Sequence, residues 1–173
     1  CQAEDESVID CKNQFNTIIL PNLKEKQQFG NEVLDVFYNC DVLVAKRMTR
    51  ICQNSFEDSS IKKIVCPNLQ VLEDDALNSA GLLKSVDLQN VEQFGKNSLD
   101  WCYILESIVN YKAASIDNCI SECHSLKKVI LRKVEAVNQN FLSGSDVAYL
   151  SKPQLQKITE IESEKQSDGE KEF

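Results

Sequence analysis

The 173-residue chain is predicted to be a right-handed repeat solenoid of the α/β class. Its units are about 22 residues long, with a parallel β-sheet on one face and short helical turns on the other. Three observations predict it. Apolar residues recur at fixed offsets over consecutive units, each unit opens on a stretch of period-two alternation, and the pattern closes on a short polar segment that returns the chain to its start.

The period is clearest from Ile61 to Leu105. Ile61 leads Ile64, Cys66, Leu69, Leu72, Leu77, Ala80 and Leu83 at offsets 3, 5, 8, 11, 16, 19 and 22. Leu83 leads Val86, Leu88, Val91, Phe94, Leu99, Cys102 and Leu105 at the same seven offsets. Leu126 repeats the set through Val129, Leu131, Val134, Val137, Leu142 and Ser145, and Leu105 leads Ile108, Ile120, Cys123 and Leu126 in a unit one residue shorter. Upstream, Phe37–Cys40 with Leu43, and Ile51 with Phe56, give the second half of a unit. Phe15, Ile18, Leu20 and Leu23 open an earlier one, followed by a short insertion around 24–28, and Leu155 with Ile158 marks a partial last one. Roughly six turns are expected over residues 1–161, the first and last irregular.

Within a unit the Leu-x-x-Val-x-Leu stretch alternates, so it is expected to be a short strand with one buried face. Val91 and Phe94 continue as a second extended stretch, and Asn97 to Cys102 is expected to be a helical turn. One unit cannot bury its apolar side alone; stacking the units does so and joins the strands in parallel.

The motifs of these units resemble the BspA-like leucine-rich repeat, whose unit reads Ile-Gly-x-x-Ala-Phe-x-x-Cys-x-x-Leu-x-x-Ile-x-Leu-Pro. The resemblance rests on Phe37–Leu43, Leu99–Leu105 and Ile120–Leu126. The strand-then-proline half appears at Ile18–Leu23 and Ile64–Leu69. Glycine follows the second apolar stretch only at Phe94–Gly95 and Phe29–Gly30, and the Ala-Phe pair is often Ser-Leu or Asp-Ala. Lys46 and Arg47 fall where a buried strand residue is expected, which predicts a distorted or bulged third unit. The resemblance implies a non-enzymatic binding protein; such proteins include surface adhesins of bacteria and protist parasites, besides intracellular copies.

Composition narrows the function classes. Hydrophobic residues make up 42% of the chain, enough to bury a core, and Gly (5) and Pro (3) are too scarce for a low-complexity protein. The net charge of −8 leaves no basic surplus to release counterions, so nucleic acid is not an expected partner. Apolar runs such as Val129–Leu131 are far too short to span a bilayer, and no membrane insertion is expected. Half of the net charge lies between Glu160 and Glu172, so residues 162–173 are expected to be an acidic, disordered tail. The chain opens on Cys1 without a leader pattern and lacks capping units, which predicts a piece of a longer array or a short array with improvised caps.

Eight cysteines suggest a disulfide framework until they are placed on the repeat. Cys40, Cys102 and Cys123 share one offset with Ser59, Ala80 and Ser145, and Cys66 takes the slot of Leu88 and Leu131. Exchange with Ser and Ala is what a small buried site selects, so these four read as core. The stacked pair Cys102 and Cys123 leaves a disulfide, and hence a secreted setting, open. Cys119, Cys123 and His124 resemble metal ligands, but a zinc site pairs two ligand clusters and here one stands alone. Adjacent Cys123 and His124 point apart, which disfavours thiolate catalysis, and Glu73–Asp74–Asp75 reads as a solvated turn. No catalytic residue, cofactor or metal is expected.

The outward strand face is left as the binding candidate. Its residues are Lys63, Val65 and Pro67, then Ser85, Asp87 and Gln89. The next two turns add Ser107, Val109 and Tyr111, then Lys128, Ile130 and Arg132. This stripe mixes an aromatic, aliphatics and both charge signs, as partner-binding solenoid faces do; the plain alternative is ordinary exposed apolar surface. The expected function is a protein–protein interaction scaffold, monomeric, with a protein partner. A surface or secreted adhesin and a structural spacer within a longer array are the alternatives. The buried cysteines and missing leader favour the cytoplasm, with the cell surface or secretion as the other setting.

Overall fold

The computed structural model describes residues 16–20, 25–26, 40–138, 140–155 and 157–159, with only the backbone of 25–26 and 157–159. Phe15, Leu23, the rest of the 24–28 insertion, Phe37 to Asn39 and the acidic tail lie outside the described residues.

Thirteen short strands run along the described chain. One side of the solenoid is built from β1 (Thr17–Ile19), β3 (Val42–Val44), β5 (Lys63–Val65) and β7 (Ser85–Val86), all parallel. It continues in a second parallel ladder of β9 (Ser107–Asn110), β10 (Lys128–Leu131) and β12 (Tyr149–Ser151). The register advances from Val42 to Lys63, Ser85, Ser107, Lys128 and Tyr149, five turns of 21 or 22 residues.

Two parts of the predicted α/β class are corrected. First, the second extended stretch forms parallel ladders of its own. They comprise β2 (Glu25–Lys26), β4 (Arg50–Ile51), β6 (Val71–Leu72) and β8 (Gln93–Phe94), then β11 (Ala136–Asn138) with β13 (Lys157–Thr159). The shorter unit joins through a single bridge, Ser115 to Ala136. The expected last unit is therefore real at the level of its backbone.

Second, the expected short helical turns are not helices; none occurs among the described residues. In the turn read as helical, Asn97 and Trp101 are left-handed (φ 53° and 60°), which a right-handed helix forbids. Alternate N–H groups leave the turn altogether. Asn97, Leu99 and Trp101 donate to the carbonyls of Asn118, Cys119 and Ser121 in the next coil, while Ser98 and Asp100 close local bonds to Gly95 and Asn97. The turns beginning at Asn54 and Asp75 alternate in the same way. Backbone hydrogen bonding thus runs between coils here as it does in the sheets, and among the described residues the solenoid is all-β.

The core is a set of columns, one residue per coil. Leu43, Ile64, Ile108 and Val129 line the first side, and Ile51, Leu72, Ile116 and Val137 the second; all are buried. Phe56, Leu77, Leu99 and Ile120 fill the turn side. Val86, at the end of the first ladder, is only partly buried. The third unit is not distorted. Leu43 in the strand and Ala45 just after it are buried, Lys46 and Arg47 form an exposed turn, and Met48 takes the slot of Leu69 and Val91. This register also moves Cys40, which aligns with Ile61 and Leu83 and does not share the slot of Cys102.

Candidate binding face

Parallel pairing brings the predicted stripe together in two pieces. In the second ladder Ser107 faces Lys128, Val109 faces Ile130, and Lys128 also faces Tyr149. Side chains on one face of paired strands are neighbours, so these form continuous columns. Arg132 lies over the Tyr111 ring, its guanidinium carbon 5.0 Å from the centroid. Ser107, Tyr111, Lys128 and Arg132 are exposed, and Val109 and Ile130 are half-buried.

In the first ladder Lys63 pairs with Ser85, and Val65 with Val44. Lys63, Pro67 and Gln89 are exposed, and Val65, Ser85 and Asp87 are half-buried. The Asp87 carboxylate accepts from the Cys66 backbone N–H at 2.9 Å, so it is tied to the preceding coil. Between β7 and β9 the ladder stops. The coils remain joined there by Glu106 N–H to Lys84 (3.5 Å) and Tyr111 N–H to Gln89 (3.1 Å).

Beside that break lies Asn110, which occupies the inward slot of Cys66, Leu88 and Leu131. Its side-chain N–H groups donate to the carbonyls of Leu88 (2.7 Å) and Val91 (2.8 Å). Its oxygen accepts from the N–H groups of Lys112 (3.1 Å) and Ala113 (2.9 Å). A fully buried amide with every bond made fixes the bend between the two extended stretches.

Sequence reasoning missed three residues of this face. Ile19 pairs with Val44 and is 47% exposed, but within Ile18–Ile19–Leu20 its outward alternation is hidden in an apolar run. Val44 was hidden by the misplaced register of the third unit. Tyr149, 56% exposed beside Lys128, sits in a last coil whose strand carried too few apolar matches.

The chemically suggestive cysteines are spoken for. Cys123 Sγ donates to the Leu99 carbonyl (3.2 Å), while neighbouring His124 faces solvent and pairs with Glu122 (3.3 Å). Cys119 Sγ donates to Ile116 (3.2 Å) from a second small-residue column, Ser55–Ala76–Ser98–Cys119. Cys102 and Cys123 are both free thiols. Burial pushes the Cys66 and Cys123 thiols up to about 12, and raises Cys102 and Cys119 as well. Such thiols are poor nucleophiles and poor metal ligands. Glu73, Asp74 and Asp75 bond neighbouring coils: Glu73 accepts from Gln53 N–H, Asp74 from Lys96 N–H and Asp75 from the Asn97 side chain.

Stacked parallel ladders, apolar columns and an outward strand face define a leucine-rich repeat solenoid. The family model for BspA-type leucine-rich repeat regions matches residues 10–119 and 33–148, with six copies, and the chain belongs to that family. Among solved structures, a leucine-rich cell surface protein from Faecalibacterium prausnitzii A2-165 is similar at 14% identity and a TM-score of 0.44. The match covers 86% of this chain and 51% of that one, so this chain spans about half of that protein's length. A search of curated proteins gave no match.

Proposed function

We propose that the chain is a non-enzymatic scaffold that binds a protein partner, as a monomer, through its outward strand face. The observation that carries this reading is the in-register set Ser107–Lys128, Val109–Ile130 and Tyr111–Arg132, with the Arg132 cation seated on the Tyr111 ring. It offers apolar area, an aromatic and cationic groups on a rigid sheet, the mixture that supplies interface anchors. Lys63, Val65, Ser85, Asp87 and Gln89 extend it along the first ladder, less freely at Asp87.

Family membership supports a cell-surface or secreted setting, in which the same face would serve an adhesin. The cytoplasmic expectation loses its basis: core packing accounts for the thiols of Cys66, Cys102, Cys119 and Cys123 in any compartment. A spacer role predicts no partner at this face at all. Reversing charge with Lys128→Glu and Arg132→Glu should weaken capture of the partner from the source cells about tenfold or more. Unchanged capture, with the rest of the stripe also replaced, rejects the reading.

A further inference from the structure

The turn side carries an exposed aromatic tract that the strand-face reading does not use. Leu82 (47% exposed), Trp101 (43%), Tyr103 (42%) and Ile104 (38%) stand on two adjacent coils. The corner is the same in each: Gly81 N–H bonds the Ser79 carbonyl at 2.7 Å, and Tyr103 N–H bonds Trp101 at 2.9 Å. Leu82 and Ile104 are therefore equivalent positions one coil apart. Large apolar side chains grouped this way on a surface mark an interaction site more often than scattered ones do.

The tract is held rigidly. Trp101 meets Tyr103 edge to face, with centroids 5.9 Å apart and planes at 74°. Tyr103 stacks on His124 of the next coil, 5.4 Å away and 4° from parallel. His124 is fixed in turn by Glu122. On the other flank, a side chain at Gly81 would bring a Cβ to 3.1 Å from the Tyr103 ring, so glycine there makes room for it.

Trp101 is also in the wrong backbone conformation for a bulky residue. Its left-handed slot is filled in other coils by Asp58, Ser79, Glu122 and Gly144, all at φ between 52° and 68°. Asp and Gly suit that region, whereas a large ring there is an outlier of the kind that collects at functional positions.

The charge on the turns themselves is mostly negative; the lysines that flank them, Lys84 and Lys127, are paired with Glu106 and Asp146. Segments 53–60, 74–82, 96–104 and 117–125 hold seven carboxylates and a single lysine, Lys96. Burial, with Asp75 and Glu122 nearby, raises the Asp100 carboxyl; burial, with Asp58 and Asp75, raises Glu57. These carboxylates share one negative field.

We propose that this corner is a second interaction surface whose occupant is a basic, extended polypeptide segment. A lysine or arginine head group lies against the Trp101 ring beside Asp100 and Glu122, and its aliphatic stem covers Leu82 and Ile104. Trp is the ring that attracts a cation most strongly, and the carboxylates supply the long-range attraction.

Trp101 is the chain's only tryptophan, so its emission reports the site directly. The probe is a short peptide of alternating Arg and Ala, with an alternating Glu and Ala peptide as its counterpart. The basic peptide should change Trp101 emission saturably, weakening with salt, and the acidic one should not. By anisotropy of the labelled basic peptide, Trp101→Asn should bind about tenfold more weakly or worse. Asn tolerates the left-handed backbone, so this variant keeps the fold, as thermal melting will verify. Tyr103→Ala should act in the same direction, and Lys128→Glu with Arg132→Glu should not weaken binding. Equal affinity in folded Trp101→Asn would mean that net charge alone attracts the peptide and would overturn the proposal, as would the absence of saturable binding.

Discussion

Cys123 donates its S–H to the Leu99 carbonyl at 3.2 Å, and one coil earlier Cys102 makes the equivalent bond to Leu77 at 3.3 Å. Two thiols in the column Ser59–Ala80–Cys102–Cys123 thus carry the same local bond, buried under the turn. Burial keeps these thiols protonated well above pH 8, and the thiolate is the form that reacts. Cys66, Cys102, Cys119 and Cys123 should therefore resist iodoacetamide in the native protein and react in denaturant, counted by intact mass. Rapid native labelling at these positions would contradict the packing described.

The same burial sets the alkaline limit of stability. The folded thiols hold their protons above the ordinary value of 9.0, so the unfolded chain binds fewer protons once that value is passed. Their stabilising contribution is complete below about pH 9 and is lost as pH climbs toward 12, at up to about 1.4 kcal/mol per pH unit per thiol. Urea midpoints at pH 7.5 and pH 10.5 should fall more for the wild type than for a Cys102→Ala, Cys123→Ala variant.

Asn110 is expected to be more costly to lose than its apolar counterparts. Asn110→Leu restores the hydrophobic residue of the neighbouring coils but strands the N–H groups of Lys112 and Ala113 and the carbonyls of Leu88 and Val91. Unmet buried groups cost about 1–3 kcal/mol each, so a loss of about 3 kcal/mol or more should appear in urea unfolding. A neutral or stabilising effect would show that the amide is dispensable.

The corrected register of the third unit is tested by a pair of substitutions. Met48 is fully buried, so Met48→Ala should cost about 2–5 kcal/mol. Lys46, exposed in the turn, should change stability by no more than about 0.5 kcal/mol as Lys46→Ala. Comparable losses at both positions would restore the bulged reading.

Legibility followed chemistry. Residues that fill apolar columns, such as Leu77 and Leu99, announce themselves because the offset recurs and only packing explains it. The turns were misread because their polar sequence, Asn-Ser-Leu-Asp-Trp-Cys, fits a helix as well as it fits alternating inter-coil bonds. The left-handed residues that exclude the helix are two different types, Asn97 and Trp101. Asn110 was invisible since a polar residue in an apolar slot reads as a mismatch until its four partners are seen. The face at Lys128, Ile130 and Arg132 followed from simple alternation, whereas the Trp101–Tyr103–His124 tract depends on contacts between coils that no spacing reveals.

The measurement that bears most directly on the strand-face reading is site-specific photo-cross-linking in the cells the protein comes from. A photoreactive residue placed at Val109 or Ile130 should yield one discrete cross-linked protein, lost in the Lys128→Glu, Arg132→Glu background. The same group at Glu92 or Gln93, exposed beside and within the second set of ladders, should yield none. Equal cross-linking from both sets of positions, or a discrete product only from Glu92 or Gln93, would contradict binding through the strand face.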